Sequence, residues 1–242
     1  GRPIYSYAAI ASPELTQRLA ASKAMQRLGV SVIPQPREMR FEEGSFKLSA
    51  DTRICYPAGA SEGVVFAAKE LHDLLQERTG LDLRLEPCEK GRFGHINLGP
   101  AGDSFWPEQP PAGLIPPGKE SYLTFVDGDG AFLVGPTEQG CLYAAMTVGQ
   151  LARKSDGEVS LPNCTIRDWP AFPYRIVQYD VARGQTINVD YVKRVIRELA
   201  RCKINAVLFY MEDDFKFRKY PFLGREGTFT HEKAAELSAF AK

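Results

Sequence analysis

The chain has 242 residues, 44% of them hydrophobic and 25% charged, so it is long enough for one large globular domain or two, each with a core of its own. Its 30 basic and 30 acidic side chains cancel, and a formal charge of zero removes the electrostatic basis for binding nucleic acid or an anionic membrane; a neutral small molecule or a sugar is the partner class that remains. No stretch approaches the roughly 18 uninterrupted apolar residues of a membrane span.

Five cysteines (Cys55, Cys88, Cys141, Cys164 and Cys202) are scattered without any CxxC, which suits neither a disulfide framework nor a zinc ribbon and reads as small buried apolar residues. His72, His95 and His231 share no ligand spacing, so neither a metal site nor a cofactor is expected. The first residue is Gly, and residues 1–30 lack the basic-then-apolar order of a signal peptide, the expectation for a processed product or a piece of something longer.

In chain order, residues 12–28 carry Leu15, Leu19, Ala20 and Met25 among polar residues, a weak amphipathic helix within a peripheral extension over 1–31. A first domain is expected over 32–167. It opens with two prolines that preset an extended chain, and Gly44 marks a hairpin turn between short strands. Residues 52–56 read as a strand. Residues 61–78 read as a helix with an apolar stripe of Val64, Val65, Ala68, Leu71, Leu74 and Leu75, stopping at Gly80. Residues 81–85 and 95–98 are expected strands, and 99–119, rich in Pro and Gly, a long surface excursion. Two runs, 121–126 and 131–134, flank Asp127-Gly128-Asp129-Gly130 and predict a hairpin. A phosphate cradle would need a helix after those glycines, where a strand pattern follows. A second helix spans 137–153, and a strand at 164–167 closes what reads as a small α/β sandwich with no convergent catalytic group.

Beyond Trp169 the pattern changes to strand, helix, strand. Residues 174–180 (YRIVQYD) are β-branched and aromatic, 188–203 carry Val192, Val195, Ile196 and Leu199 at helical spacing, and 204–211 (INAVLFYM) read as a strand covered on both faces. That strand empties into Glu212, Asp213 and Asp214. In parallel α/β folds the loops at the carboxyl ends of strands converge, and sites are built there.

The order IPQPREM…EGSF, ESYLTFVDGDGAFLVGPTEQGCLYAAMTVGQL and IRDWPAFPYR…YDVAR resembles family 20 glycoside hydrolases, the β-N-acetylhexosaminidases, over about residues 32–242. The resemblance implies a non-catalytic α/β domain followed by a (β/α)₈ barrel, a carbohydrate substrate and an exported parent. Arg175, Asp180 and Arg183 fall on its first-strand motif, an Arg, an Asp and a second Arg. Its second strand ends in a His, an apolar residue and two acids, where this chain has Tyr210, Met211, Glu212, Asp213 and Asp214. Tyr210 departs from the His, and the Gln and Trp that commonly follow are missing, so the resemblance is to a divergent branch.

The resemblance makes Arg175 a donor to sugar hydroxyls, and a guanidinium fork suits adjacent oxygens. A buried ion pair with Asp180 or Asp213 is the other reading of the same residue. Asp180 and Arg183 either touch sugar or hold loops; Glu212, Asp213 and Asp214 form either a polar wall or a solvated acidic loop. Phe215, Phe217, Tyr220 and Phe222 either stack on a sugar ring or pack their own loop. Glu212 and Asp213 do not suit a glycosidase pair, because neighbours point apart. The resemblance places the catalytic Asp-Glu pair after strand four, beyond the two strands present. A barrel takes about 250 residues, so residues 168–242 are expected to be its incomplete start and the chain alone to be inactive. A non-catalytic carbohydrate-binding or support module is the alternative.

Overall fold

A computed structural model describes residues 13–110, 113–184, 186–224 and 226–241. The chain divides into two compact units, Gly1–Ala171 and Phe172–Lys242.

The first unit runs α1 (Pro13–Leu28), β1 (Glu38–Leu48), β2 (Arg53–Pro57), α2 (Glu62–Thr79), β3 (Arg84–Cys88), β4 (Ile96–Pro100), β5 (Tyr122–Asp127), β6 (Gly130–Gly135), α3 (Glu138–Leu151), β7 (Arg153–Ser155) and β8 (Glu158–Asp168). Its mixed sheet has the order β1-β8-β5-β6-β4-β2-β3, with β7 hairpinned onto β8. Helices α2 and α3 cover one face. The stripe Val64, Ala67, Ala68, Leu71, Leu74 and Leu75 of α2 meets Ala144, Ala145, Val148 and Leu151 of α3 over Ile54, Ile96, Leu133 and Ile166 of the sheet. Each leucine buried there contributes about 1.5–3 kcal/mol. The DGDG hairpin forms as the sequence predicts, β5 running antiparallel to β6 with Asp127 opposite Gly130.

Three expectations are revised. Gly44 turns no hairpin: β1 is one eleven-residue strand that, among the described residues, pairs with β8 alone, and the four-residue step from Phe41 to Ser45 faces a two-residue step of β8, a bulge. Gly44 sits there at φ 95, and a Cβ on it would come 2.7 Å from Asn163 Nδ2, so glycine marks close approach to the neighbouring strand. The surface excursion expected after β4 is revised in one respect: it stays largely exposed but is pinned to the sheet by two aromatics. Phe105 and Trp106 are buried against Cys55, Cys88, Leu123 and Val134 on the sheet face away from the helices. Arg167 clamps that segment by donating to Leu114 O at 2.7 Å and Gly113 O at 3.2 Å. These two aromatics cover part of the second sheet face, while Phe125 on β5 stays exposed. Finally, α1 is part of the unit, because Ala21 and Met25 lie in its core.

The second unit runs β9 (Ile176–Asp180), α4 (Val189–Arg201), β10 (Ala206–Tyr210) and α5 (His231–Phe240). The two strands are parallel, in register from Ile176 opposite Ala206 to Asp180 opposite Tyr210. Asn188 caps α4 by accepting from Tyr191 N–H at 2.9 Å, and Thr230 caps α5 by accepting from Lys233 N–H at 3.3 Å. Alternate residues Tyr179 and Phe209 pack with Val181, Ile187, Val192, Phe229 and Leu237 into a small core. The opposite face, with Ile176, Leu208 and Tyr210, is exposed. The expectation that β10 is covered on both faces therefore fails within the described residues, since helices pack one side of this strand pair.

Candidate functional site

The carboxyl ends of β9 and β10 gather polar groups because parallel strands in register finish side by side. Asp180 and Tyr210 are the last residues of their strands and stand opposite each other, and Val181 N–H donates to Tyr210 O at 3.0 Å. Asp180 Oδ1 accepts from Ala182 N–H at 2.9 Å, a side-chain turn that redirects the chain. Arg183 then lies with Nε 3.8 Å from Asp180 Oδ2. From the other strand, the Tyr210 hydroxyl donates to Glu212 Oε1 at 2.8 Å. That hydrogen bond and the Glu212 charge raise the Tyr210 pKa above its ordinary 10.0; Asp180 adds to the effect and Arg183 opposes it. Two carboxylates, a phenol and a guanidinium therefore share one strand end. Such an array donates and accepts hydrogen bonds at once, which is what sugar hydroxyls require.

The remaining expected site residues are placed differently. Arg175 precedes β9, five residues and about 16 Å of extended chain from Asp180. Its Nε donates to Lys203 O at 2.7 Å and its Nη1 to Phe172 O at 2.8 Å, so its guanidinium fastens the start of the strands rather than their finish. Asp214 turns inward: it is 4% exposed, accepts from the Thr228 hydroxyl at 2.7 Å, and its carbonyl accepts from Phe229 N–H at 3.2 Å. It ties the loop after β10 to the chain before α5. Asp213 is exposed. Glu212, Asp213 and Asp214 thus do not form one wall. Among the aromatics, Phe215 packs against Phe217, Phe229 and His231 with ring centroids 4.9–5.9 Å apart, whereas Phe222 is 80% exposed beside Tyr220.

Tyr210 was given no role by sequence reasoning. No sequence pattern signalled it, because β10 ends at Tyr210 and the contact with Glu212 depends on the left-handed turn that Glu212 makes at φ 45. Among the described residues no group of three or more His, Cys, Asp and Glu is arranged to hold a metal ion, and no helix is long and apolar enough to cross a membrane.

The first unit holds its polar groups for structure. The Tyr122 hydroxyl donates to Asp168 Oδ2 at 3.0 Å and pairs with the Thr147 hydroxyl at 2.7 Å, while Asp168 Oδ1 accepts from Arg37 N–H at 3.0 Å. Burial first, and the Asp168 charge second, push the Tyr122 pKa well above 10.0. Cys55 and Cys88 lie in the core under the aromatic cover, and burial raises the Cys55 thiol.

Known proteins line up with both the sequence and the fold. The beta-hexosaminidase of Porphyromonas gingivalis is 29% identical over 224 residues, 88% of this chain and 27% of that protein. The beta-N-acetylhexosaminidase of Cellulomonas fimi is 27% identical over 194 residues, 78% of this chain and 36% of that protein. The chain therefore spans about a quarter to a third of the length of these relatives. Among solved structures, the chitobiase of Flavobacterium johnsoniae superposes with a TM-score of 0.72 at 20% identity, covering 90% of this chain and 33% of that one, which is a likeness of fold. The model of glycosyl hydrolase family 20, domain 2, matches residues 29–169, more than half of the sequence and nearly all of the first unit beyond α1. On that match, the chain belongs to glycosyl hydrolase family 20.

Proposed function

We propose that this chain is the N-terminal part of a glycoside hydrolase that removes terminal β-linked N-acetylhexosamine by a substrate-assisted retaining mechanism. In this reading the first unit is the non-catalytic α/β domain, and residues 168–242 begin a (β/α)₈ barrel. The observation that carries it is the parallel β9-α4-β10 unit, whose polar residues gather at the carboxyl end of its strands, in a chain of this family. The relatives' names supply the substrate class.

Asp180, Arg183 and Glu212 are the residues proposed to meet sugar hydroxyls, the carboxylates as acceptors and the guanidinium as donor. Asp213 is exposed beside them and joins the same rim. Arg175 and Asp214 serve the site indirectly, by fixing the start of the strands and the loop after β10. In the proposed mechanism the acetamido oxygen of the sugar attacks its own anomeric carbon. An adjacent Asp-Glu pair orients that oxygen and protonates the leaving group. Glu212 and Asp213 are not given that role, because they close the second strand, whereas the resemblance places the pair after strand four, and Glu212 Oε1 is already engaged by the Tyr210 hydroxyl. The chain alone should therefore bind without turnover.

The test is incubation of the 242-residue chain with a chromogenic N-acetylglucosaminide. No release of chromophore is expected. Release that disappears in Glu212→Gln would place the catalytic acid in this strand end and overturn the assignment.

A further inference from the structure

Glu212 follows β10 at φ 45, a left-handed conformation that a residue with a Cβ adopts only when its surroundings hold it. Tyr210 provides a hold, through the 2.8 Å bond from its hydroxyl to Glu212 Oε1. Tyr210 is itself fixed by the fold. It closes β10 in register with Asp180, and its carbonyl accepts from Val181 N–H at 3.0 Å. A glutamate on an exposed loop ordinarily loses rotamer freedom when it meets a ligand, and that loss weakens binding. Here the bond to the phenol restricts the side chain beforehand. It engages one carboxylate oxygen, and an exposed carboxylate accepts further donors through the other.

We propose that Tyr210 is a positioning residue of the strand-end site, holding Glu212 as a preset acceptor for a hydroxyl of a neutral sugar, beside the Asp180–Arg183 pair. The role rests on the reading of this strand end as a sugar site. Tyr210 stands where the resembling family has His, and the acid it holds, Glu212, precedes the acids Asp213 and Asp214. With its pKa raised above 10.0, the phenol stays protonated through the neutral range and remains the donor of the pair.

The test is an NMR titration of the 242-residue chain with N-acetylglucosamine, repeated for Tyr210→Phe, Glu212→Gln and the double variant. Unchanged amide signals from α4 and α5 report that the second unit is folded in each. Tyr210→Phe should weaken binding about two- to tenfold, the range expected for one solvent-exposed intramolecular hydrogen bond. Glu212→Gln should weaken it at least as much, and the double variant should bind no more weakly than Glu212→Gln alone. Equal binding by the wild-type chain and Tyr210→Phe overturns the positioning role and leaves the sugar site standing. Additive losses in the double variant overturn it too, since they make Tyr210 an independent contact. Absence of binding by the wild-type chain removes the sugar site itself, and the positioning role with it.

Discussion

Single side chains carry most of the chemistry at the end of β9 and β10, and the phenol of Tyr210 offers a direct reading of it. Its raised pKa depends chiefly on the hydrogen bond and charge of Glu212. The difference in ultraviolet absorbance between the wild-type chain and Tyr210→Phe, followed through alkaline pH, should place its ionisation above pH 10. Glu212→Gln should bring that midpoint down. Tyr122 shows the same direction for a different reason, because burial dominates there. The unfolded phenol ionises at about its ordinary 10.0 and the folded one does not. The stability this confers is complete below pH 10 and is lost as the pH climbs above it. The alkaline unfolding curve of the first unit should therefore flatten in Tyr122→Phe. At neutral pH that variant should be less stable by about 1–3 kcal/mol, because Asp168 and Thr147 lose a buried partner.

Secondary-structure elements were legible where their signal is local. The stripe of α2, the apolar spacing of α4 and the DGDG hairpin depend on residues within a few positions of each other, and each of these elements forms where the pattern puts it. The bulge at Gly44 was not legible, because the strand that makes it a bulge, β8, follows more than a hundred residues later. The cover over Cys55 and Cys88 was missed for a related reason: Pro and Gly describe how a segment turns, whereas Phe105 and Trp106 decide where it packs. At the strand ends, the sequence marked carboxylates after β10 but did not tell that Lys203 O and Phe172 O take up the Arg175 guanidinium or that Asp214 faces inward, because those partners are set by tertiary contacts. Close approach between elements also yields a prediction. A Cβ at Gly140 of α3 would run into Ser121 O, a main-chain atom, whereas one at Gly149 would lie 2.5 Å from Leu74 Cδ2, the tip of a side chain. Gly140→Ala should cost more stability than Gly149→Ala, which a leucine rotamer change relieves to about 1–3 kcal/mol. Parallel chemical-denaturation curves check the order.

At the scale of the whole molecule, the two units differ in how much apolar surface they bury. The second has a core of Val181, Ile187, Val192, Phe229 and Leu237 with one sheet face bare, and the first has one sheet face under helices and part of the other under Phe105 and Trp106. Calorimetry should resolve two transitions, with Val181→Ala lowering only the first and Leu133→Ala only the second. Thiol reactivity should follow the same division. Cys141 and Cys164 are buried with pKa values pushed up to about 12, Cys55 and Cys88 are buried under the aromatic cover, and Cys202 is half-buried. A thiol reagent at pH 8 should modify Cys202 first and the other four only on unfolding.

The pairing of β1 with β8, Glu38 opposite Arg167, sets a schedule for synthesis. On a ribosome adding about 5–20 residues per second, β1 emerges several seconds before its one neighbour exists. Through that interval the eleven residues of β1 lack the partner that makes them a strand, and the bulge at Gly44 forms only once β8 has been made.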